Sequence, residues 1–512
     1  MTMPKGTFST AVRGVAVMAA LTLAGAPRAA AQTTPGLTLD DVVRRAAAHG
    51  PQANLVRAAV DAVYARTLTA SAPFDTHLAA SVAGGQESGQ RALSTGLSPF
   101  TQHTTEYALQ ASRRLRSGIV LQPQVNVRRT SEVGVAAVDA ASGVSLGVMV
   151  PLMRDRMARA SGASARGLAY RAAAGPHDIR YGTEVGAGAA AAAYWDYAAA
   201  CARLEVFAEA ERRAARRLEE TRVLVRGDER PAAELNPLQA AVSRARVQRI
   251  GAEQAVDEAR IQLGIALGMG TGELGELGTP VTPFPKPEAW TPDAAERERV
   301  VRLALERRGD VVGTRLELTS DEVLLAGARE NLKPQLDLHL NVGYTGRQLG
   351  GGLGGLVQPL YRDVPGMNAS VQVQYQIPVA RTEARGQSAA AEAARLEKSL
   401  RLEHLEREVS GSVLSAMLAV SRGSAALVEA DRAVALYRVS VNDEQQKNRL
   451  GVSTLLDVTY AEDNLTNALL ASVNSRMAYA KALSQLRVNT GTLAREVDGG
   501  LVLDAALLLT RP

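Results

Sequence analysis

The chain has 512 residues, of which 46% are hydrophobic but only 4% aromatic, and its formal net charge is +5. This length exceeds one ordinary domain, and the scarcity of aromatic residues favours long, thinly packed helices over large globular cores. The single cysteine, Cys201, excludes an intrachain disulfide and any cysteine-based zinc or iron–sulfur site.

The first 31 residues are typical of a secretory signal peptide. Lys5 and Arg13 precede the short apolar run GVAVMAALTLAG, and the segment ends in the small residues of APRAAA. We expect cleavage between Ala31 and Gln32, and a glutamine at the new N-terminus excludes a lipid anchor on a cysteine there. Cleavage lowers the formal charge from +5 to +2, so the high pI is not a nucleic-acid footprint. Elsewhere no segment offers the roughly 20 uncharged apolar residues of a membrane helix.

The mature chain contains two copies of one pattern. DVVRRAAAHGPQANLVRAAV at 41–60 resembles RVVRLALERRGDVVGTRLEL at 299–318, and VRGDERPAAELNPLQAA at 225–241 resembles RLGVSTLLDVTYA at 449–461. Each half is predicted to run helix, strand, strand, very long helix, short loop and return helix. The predicted divisions are a first repeat at 32–263, a linker and equatorial region at 264–298 that includes the Pro-rich stretch 280–292, a second repeat at 299–490, and a C-terminal tail at 491–512.

Alternating apolar and polar residues predict the strands. In PQLDLHLNVGYTG, residues 334–346, apolar side chains alternate with polar ones, which gives a strand one apolar face. The predicted strands lie near 74–84, 143–152, 335–345 and 370–379.

The first half contains an insertion between its two strands. The offset between the halves falls from 261 (Pro73 to Pro334) to 227 (Pro151 to Pro378). The inserted segment near 104–130 alternates like a strand on both sides of Arg116-Ser117-Gly118, which predicts an extra hairpin turning at those residues.

The second half contains a long helix with a heptad seam. Val413, Val420, Leu427, Val434 and Val441 are seven residues apart, and no proline occurs between residues 379 and 511. A helix over 386–447 would be about 90 Å long. The return helix carries Leu470, Val473, Met477 and Ala480 at the same spacing. In the first half we expect Gly175-Pro176 to interrupt the corresponding helix, while the Arg-dense ERRAARRLEETR (211–222) is predicted to be a solvated helix face.

The strands point to a membrane. Two strands per half cannot close a sheet within one chain, and open edges within lipid cost several kcal/mol per unpaired group. Strands of about ten residues with alternating polarity are long enough to cross a bilayer when tilted. We therefore expect a mainly α protein with membrane β structure, in which several chains share one β-barrel that is continuous with a long α-helical coiled-coil barrel.

The sequence resembles the TolC-like outer-membrane efflux protein family over about residues 37–495. The motifs that carry the resemblance are LTLDDVVRRAAAHGPQ, LALERRGDVVGTRLEL, NLKPQLDLHLNVGY, the strand-ending prolines in MVPLM and QIPVA, and RLGVSTLLDVTYAEDNL. The resemblance implies a homotrimer in the outer membrane, with four strands per protomer in one barrel and the helices in one periplasmic tunnel. The hairpin near 104–130 departs from this pattern, and it either extends extracellularly or enlarges the sheet.

The resemblance also assigns roles to the two loops farthest from the membrane, 226–236 and 448–457. They would form the tunnel entrance and receive the tips of a periplasmic adaptor, and Gly227, Gly451, Val452 and Ser453 lie in these docking loops. Asp457 stands where family members carry an aspartate that rings the constriction, and the corresponding position of the first repeat is Asn236. The alternative for Asp457 is a first-turn acid favoured by the helix dipole.

The closing contacts of the entrance depart from the family. Better-known members carry Tyr and Arg partners where this chain has Asn448 and Ser453. We therefore expect Arg226, Asp228 and Arg449 to supply part of the latch.

The implied function is a passive export duct for a tripartite efflux or type I secretion system, which docks to an adaptor and an inner-membrane pump. It needs no cofactor, metal or catalysis, and the sequence contains no phosphate loop. One alternative is an exported periplasmic coiled-coil protein without pore activity. Another is a hydrolase using Ser145 of Gly143-Val-Ser145-Leu-Gly147, but that pattern requires a strand-to-helix turn and Ser145 lies within a predicted strand. His404 and Glu408 are spaced like metal ligands, yet no second histidine completes a site.

Overall fold

The computed structural model describes residues 36–93, 96–135, 138–349, 366–497 and 500–512. The predicted signal peptide, residues 1–31, lies outside the described residues. The α-helices within these ranges are α1 (Leu39–His49), α2 (Pro51–Ser71), α3 (Ala163–Arg226), α4 (Leu235–Ala266), α5 (Ala294–Arg307), α6 (Gly309–Glu330), α7 (Thr382–Arg449) and α8 (Leu455–Asn489).

Six strands form one antiparallel sheet in the order in which they occur in the chain. The segment predicted as an extra hairpin lies inside this sheet as its second and third strands, so the insertion enlarges the sheet. Within the described residues this sheet therefore has six strands rather than the four that the family resemblance implies. The strands are β1 (Thr76–Leu93), β2 (Gly96–Arg114), β3 (Val120–Glu132), β4 (Val138–Pro151), β5 (Gln335–Leu349) and β6 (Met367–Gln376).

The first two strands are longer than the predicted ten residues. β1 has 18 residues and β2 has 19, and they pair from Thr76↔Arg113 to Leu93↔Gly96. The apolar alternation fades beyond Gly84, but pairing with β2 satisfies the backbone of the polar upper half of β1. The β2–β3 turn contains Gly118 at φ 88°, a left-handed conformation that suits glycine.

The helix α3 is continuous over 64 residues, although Gly175-Pro176 predicted an interruption. Tertiary packing explains the difference. Ala174 and Gly175 are buried, and a Cβ on Gly175 would lie only 2.7 Å from Val60 of α2. A proline inside a helix costs about 3 kcal/mol, and close packing of α2 and α6 against α3 offsets this cost at Pro176.

The heptad seam of α7 packs against α8. With 68 residues, α7 is about 100 Å long at 1.5 Å per residue. Its five seam residues are all buried. Val413, Val420 and Leu427 share a core with Tyr479, Leu483 and Leu486, and Val434 and Val441 share one with Ala461, Leu465 and Ala468.

The predicted seam of the return helix is therefore partly wrong. Ala480 is buried in a different cluster, which contains Trp195 of α3, and Met477 packs at the edge of the same cluster. The reason is that α8 contacts both α7 and α3, so it needs two apolar faces, and the spacing alone does not tell which face meets which neighbour.

One helix among the described residues has an 18-residue window apolar enough to cross a membrane, and this helix is α7. Only 33% of that window is buried within the single chain. The heptad seam accounts for much of the apolar character, so this window is weak support for a spanning helix.

The chain's last residues fold into the core. Residues 494–497 and 500–503 form a short hairpin, and the following turn, Ala505–Leu509, buries Leu508 against Trp195 and Leu263. The guanidinium of Arg487 donates to the carbonyl oxygens of Leu507 and Thr510, both at 2.9 Å. The segment predicted as a tail is thus a packed element, fixed by a buried arginine.

Asp178, where α6 crosses α3, gives a prediction on pH. Burial, then the charges of Glu317 and Asp310, raise the pKa of Asp178 to about 6. Because an unfolded Asp titrates near 4, the native state binds the extra proton between about pH 4 and pH 6, and stability falls as pH rises through that window. Asp178→Asn should remove this slope and stabilise the protein by about 1–2 kcal/mol at pH 7 after allowance for solvent screening.

Chemical denaturation of the purified protein between pH 4 and pH 8 measures this effect. Asp196→Asn is the control, because it removes an exposed ion pair with Lys481 and should change stability by less than about 1 kcal/mol. An unchanged pH slope in Asp178→Asn would contradict the assignment.

Candidate functional site

The two helical hairpins, α3–α4 and α7–α8, end side by side at the end of the molecule farthest from the sheet. A cleft between their tips is lined from both, by Glu229 and Arg230 of the first and by Asn448 and Arg449 of the second. We call this region the entrance end, comprising residues 213–244 and 441–466. It contains every candidate site residue predicted from the sequence.

Both long helices end in the same backbone motif. At the end of α3 the Glu229 amide donates to Leu224 O at 2.9 Å, and at the end of α7 the Val452 amide donates to Lys447 O at 3.0 Å. These are Schellman hydrogen bonds, which place one residue in the left-handed region. Gly451 takes this role at φ 75°, whereas in the first tip Asp228 takes it at φ 59°.

Gly227 is therefore not the conformational counterpart of Gly451. Its φ of −85° is open to any residue. At the first tip the chain uses an aspartate, one residue after Gly227, in the position where glycine is usual. Asp and Asn tolerate the left-handed region better than other side chains, at a cost of about 1 kcal/mol.

Asp228→Gly is expected to stabilise the first tip by about 0.5–1 kcal/mol, because glycine removes the left-handed penalty. Hydrogen–deuterium exchange of the Asp228 and Glu229 amides should slow about two- to fivefold. Gly451→Ala is the matched opposite change and should speed exchange of the Gly451 and Val452 amides. Equal exchange in Asp228→Gly and the parent protein would refute the strain assignment.

Asp457 forms a capping box at the start of α8. Its carboxylate accepts hydrogen bonds from the Thr454 hydroxyl at 2.6 Å and the Thr454 amide at 2.9 Å, and its own amide donates to Thr454 Oγ1 at 3.2 Å. Hydrogen bonds from the side chain and backbone of Thr454 lower the pKa of Asp457. Within one chain Asp457 thus acts as a helix-start acid, and the side chain remains exposed. Asn236 is also exposed, one residue into α4.

The residues at the places of the family's Tyr and Arg close their own loop. Asn448 Nδ2 donates to Ser453 O at 2.7 Å, and Ser453 Oγ donates to Glu444 at 2.9 Å. Lys447 pairs with the same carboxylate at 2.7 Å. Ion pairing with Lys447 and the Ser453 hydroxyl lower the pKa of Glu444. These contacts rigidify the second tip without reaching the first one.

The three residues predicted as a latch make no contact between the tips within one chain. Arg226 pairs with Glu219 of its own helix at 3.4 Å, with both side chains well exposed. Asp228 occupies the left-handed turn position. Arg449 and Glu229 both line the cleft. Within the described part of the chain Arg449 forms no ion pair.

A buried ion pair that sequence reasoning missed does join the two hairpins. Arg217 of α3 contacts Glu462 of α8, and their side chains are only 11% and 10% exposed. Arg217 also donates to Thr459 Oγ1 at 3.1 Å, and Gln445 of α7 donates to Glu462 at 3.2 Å. Residues 211–222 are therefore not uniformly solvated, since Arg217 faces the neighbouring hairpin while Arg216 is 61% exposed.

The entrance end also presents apolar surface. A groove between the tips is lined by Leu238 and Ala241 of α4 and by Leu455 and Leu456 of α8. Such a concentration at a loop tip marks an interaction surface. The large apolar side chains that are most exposed here are Leu450 at 78%, Val452 at 77%, Leu456 at 75% and Tyr460 at 69%.

At the opposite end the sheet has one apolar and one polar face. Directly paired residues lie on the same face. The register aligns Val82, Tyr107 and Val127 in the first three strands, and Leu121, Val148, Leu340 and Val371 in the last four. The apolar face is made by Leu78, Ala80 and Val82 of β1, Tyr107, Leu109 and Ala111 of β2, Leu121, Val125 and Val127 of β3, Val144, Leu146 and Val148 of β4, Leu338, Leu340 and Val342 of β5, and Val371, Val373 and Tyr375 of β6.

The other face is polar. It carries Gln124, Asn126, Asn341 and Gln372, and its ion pairs include Arg347 with Asp139 and Arg128 with Glu106. Lipid on one side and water on the other would match this division. Ser145 lies on this polar face within β4, opposite Gly343 of β5, so the strand-to-helix turn of a nucleophile elbow is absent at this position.

Comparison with known proteins found a family match for part of the sequence and solved structures with a similar fold. Residues 300–492 match the outer membrane efflux protein family. No curated protein matches the chain in sequence. The TolC-like resemblance predicted from the motifs is therefore confirmed, by sequence in the second half and by structural similarity along most of the chain.

Several solved structures have the same fold at low sequence identity. The Campylobacter jejuni CmeC outer membrane channel is 15% identical, with a TM-score of 0.65 over 89% of this chain and 85% of that one. The outer membrane protein VceC of Vibrio cholerae is 15% identical, with a TM-score of 0.64 over 88% and 96%. The Neisseria gonorrhoeae MtrE outer membrane channel in its open state is 15% identical, with a TM-score of 0.60 over 88% and 88%.

Proposed function

Because its second half matches the outer membrane efflux protein family on a fold shared with outer-membrane channels, we propose that this protein is a channel-tunnel of the outer membrane. It serves as the passive exit duct of a tripartite efflux or type I secretion system. The observation that carries this proposal is the two-faced sheet, apolar on one side in all six strands, from which α3 and α7 extend for about 100 Å.

The functional unit is a homotrimer. Its sheets sit in the outer membrane after signal-peptide export, and its helices form a tunnel in the periplasm. A periplasmic adaptor docks on the tip loops at Gly227, Gly451, Val452 and Ser453 and links the duct to an inner-membrane pump. Asp457 and Asn236 of each chain face the constriction, and Arg226, Asp228 and Arg449 are available to contact a neighbouring protomer.

Fractionation and reconstitution test the proposal. The protein should separate with outer membranes, need detergent for extraction, and produce ion channels in planar lipid bilayers. A periplasmic coiled-coil protein without pore activity would instead remain soluble after cell lysis. Recovery in the soluble fraction without channel activity would overturn the proposal.

Docking at the entrance end gives a further prediction. Leu456→Glu places a charge in the apolar groove between the tips, so adaptor crosslinking to Val452→Cys should fall about tenfold or more, because an unpaired charge in an apolar contact is costly. Crosslinking in cells followed by mass spectrometry measures this loss. Leu456→Met is the matched control, since it keeps the apolar volume. Intact crosslinking in Leu456→Glu would exclude the groove as the docking surface.

A further inference from the structure

The open edges of the sheet carry an inference that rests on the proposed trimeric channel. β1 and β6 are the outer strands, and neither has an outer neighbour in the described part of the chain. Edge residues of the apolar face are strongly exposed, with Leu78 at 72% and Val371 at 71%, whereas Leu146 and Val342 in the middle of the sheet are 46% and 49% exposed. Side chains on the same apolar face are thus more exposed at the two edges than in the middle. The difference is what a missing neighbouring strand at each edge would cause.

We propose that β6 of one protomer pairs with β1 of the next, and that three protomers close a barrel of eighteen strands. A second copy fits each edge because the two edges are complementary. β1 leaves the helices at Thr76 and β6 returns to them at Gln376, so the strands run antiparallel when the protomers share one membrane orientation. The apolar face also extends to both edges. A register shifted by an odd number of residues would place the apolar side chains of one edge beside the polar side chains of the other.

The register inside the chain can be followed across all six strands. A line perpendicular to the strands starts at Thr76, passes through the paired residues and ends at Val371, five residues above the end of β6 at Gln376. The intermediate residues are Arg113, Leu121, Val148 and Leu340. The strands are therefore staggered, as those of a tilted barrel must be.

The pairing between protomers follows from two conditions. The apolar faces must coincide, and the helix-side ends of the strands must be flush, because Pro378 has no amide to continue the ladder beyond β6. Two pairings meet both conditions to within one residue, namely Tyr375 opposite Thr76 and Tyr375 opposite Leu78 of the next protomer, and the stagger of the barrel selects the second. Val371 then lies opposite that protomer's Val82.

This register gives a consistent barrel. The perpendicular line enters one protomer at residue 76, leaves it at Val371 and enters the next protomer at Val82. The stagger is therefore six residues per protomer and 18 residues for three protomers. A barrel whose stagger equals its number of strands has a strand tilt of about 36°, within the 35–45° of membrane barrels. Pairing Tyr375 with Thr76 instead of Leu78 lowers the stagger to about 12 residues. The strand tilt then falls below the range of membrane barrels.

The consequence is a wider membrane pore. Barrel diameter grows roughly in proportion to strand number, so eighteen strands give a diameter about 1.5 times that of the twelve strands that four per protomer would supply. The inserted hairpin, β2–β3, accounts for the whole difference. Its polar side chains, such as Gln110 and Gln124, lie on the polar face and would line the water-filled interior.

Disulfide trapping tests the strand order and register in a Cys201→Ala background. Leu78→Cys with Tyr375→Cys should link neighbouring protomers into a covalent trimer, and Ala79→Cys with Gln374→Cys should do the same from the polar face. Leu78→Cys with Ala111→Cys should link within the chain. Failure of the last pair while the first two link would place the hairpin outside the barrel and overturn the strand count. Linkage of Tyr375→Cys with Thr76→Cys instead of Leu78→Cys would overturn the register.

Deletion of the hairpin tests the pore width. Joining Leu93 to Gly134 removes β2 and β3 and leaves β1 followed by β4. In planar bilayers, the largest polyethylene glycol that enters from the barrel side should shrink in diameter by about one third. An unchanged size limit would refute the eighteen-strand barrel while leaving the channel itself intact. Absence of any channel in the full-length parent protein would instead overturn the proposed function.

Discussion

Arg217→Ala is expected to open the entrance end of the reconstituted channel. The substitution leaves Glu462 charged and unpaired between α3 and α8, where its side chain is 10% exposed. Breaking a buried ion pair from one side costs about 3–5 kcal/mol. If the two hairpins part when the entrance opens, this loss falls on the closed state alone. We expect the fraction of time spent open in single-channel recordings to rise about a hundredfold from a low starting value, since 1.4 kcal/mol is a factor of ten.

Two matched variants separate the buried pair from charge in general. Arg244→Ala breaks the contact with Asp463, the residue that follows Glu462, but that pair is 59% and 53% exposed and is worth less than about 1 kcal/mol. Arg217→Met combined with Glu462→Met replaces both charges by apolar volume and should restore closure. Equal open times for Arg217→Ala and Arg244→Ala would remove the buried pair from the closing contacts.

Trp195→Ala is expected to cause the largest loss of stability. Trp195 is fully buried in the core that joins both halves, with its ring 5.2 Å from that of Tyr194 and 5.3 Å from that of Phe284. Removing a buried tryptophan leaves a cavity and costs about 3–5 kcal/mol. Urea unfolding of the purified protein, followed by circular dichroism, should show a clearly lower midpoint.

Two further substitutions control for volume and position. Trp195→Phe should cost less than about 1.5 kcal/mol, because the indole Nε1 finds no acceptor in the described chain and its loss removes an unsatisfied donor. Trp290 is only partly buried, although its Nε1 donates to Glu296 at 3.2 Å, so Trp290→Ala should cost less than Trp195→Ala. Similar losses for Trp195→Ala and Trp290→Ala would show that the core around Trp195 is not the principal one.

Periodic features of the sequence predicted the parts of the fold that repeat locally. The heptads of α7 and the alternation in β5 are visible because each residue's environment recurs every seven or two positions. The alternation around Arg116-Ser117-Gly118 likewise indicated a hairpin. Its place inside the sheet was not predictable. An extracellular hairpin and a hairpin within the sheet have the same local alternation, and they differ only in the long-range pairing with β1 and β4.

The entrance end was less predictable for two physical reasons. The left-handed turn residue of the first tip is Asp228, although glycine is the usual occupant and Gly227 stands beside it, so sequence alone does not identify the position. The ion pair of Arg217 and Glu462 joins residues 245 positions apart, and only the packing of α3 on α8 distinguishes Arg217 from the exposed arginines around it. The constriction role of Asp457 needs the neighbouring chains and remains a prediction.

The docking of the last residues against Arg487 has a practical consequence. Arg487 has carbonyl acceptors on Leu507 and Thr510, and Arg511 reaches Glu288 at 2.7 Å. Removing residues 505–512 would take away the carbonyl acceptors of Leu507 and Thr510 and leave the buried guanidinium of Arg487 without them. Shortened versions of the protein should therefore keep residues 505–512, or the yield of folded protein will fall for reasons unrelated to the channel.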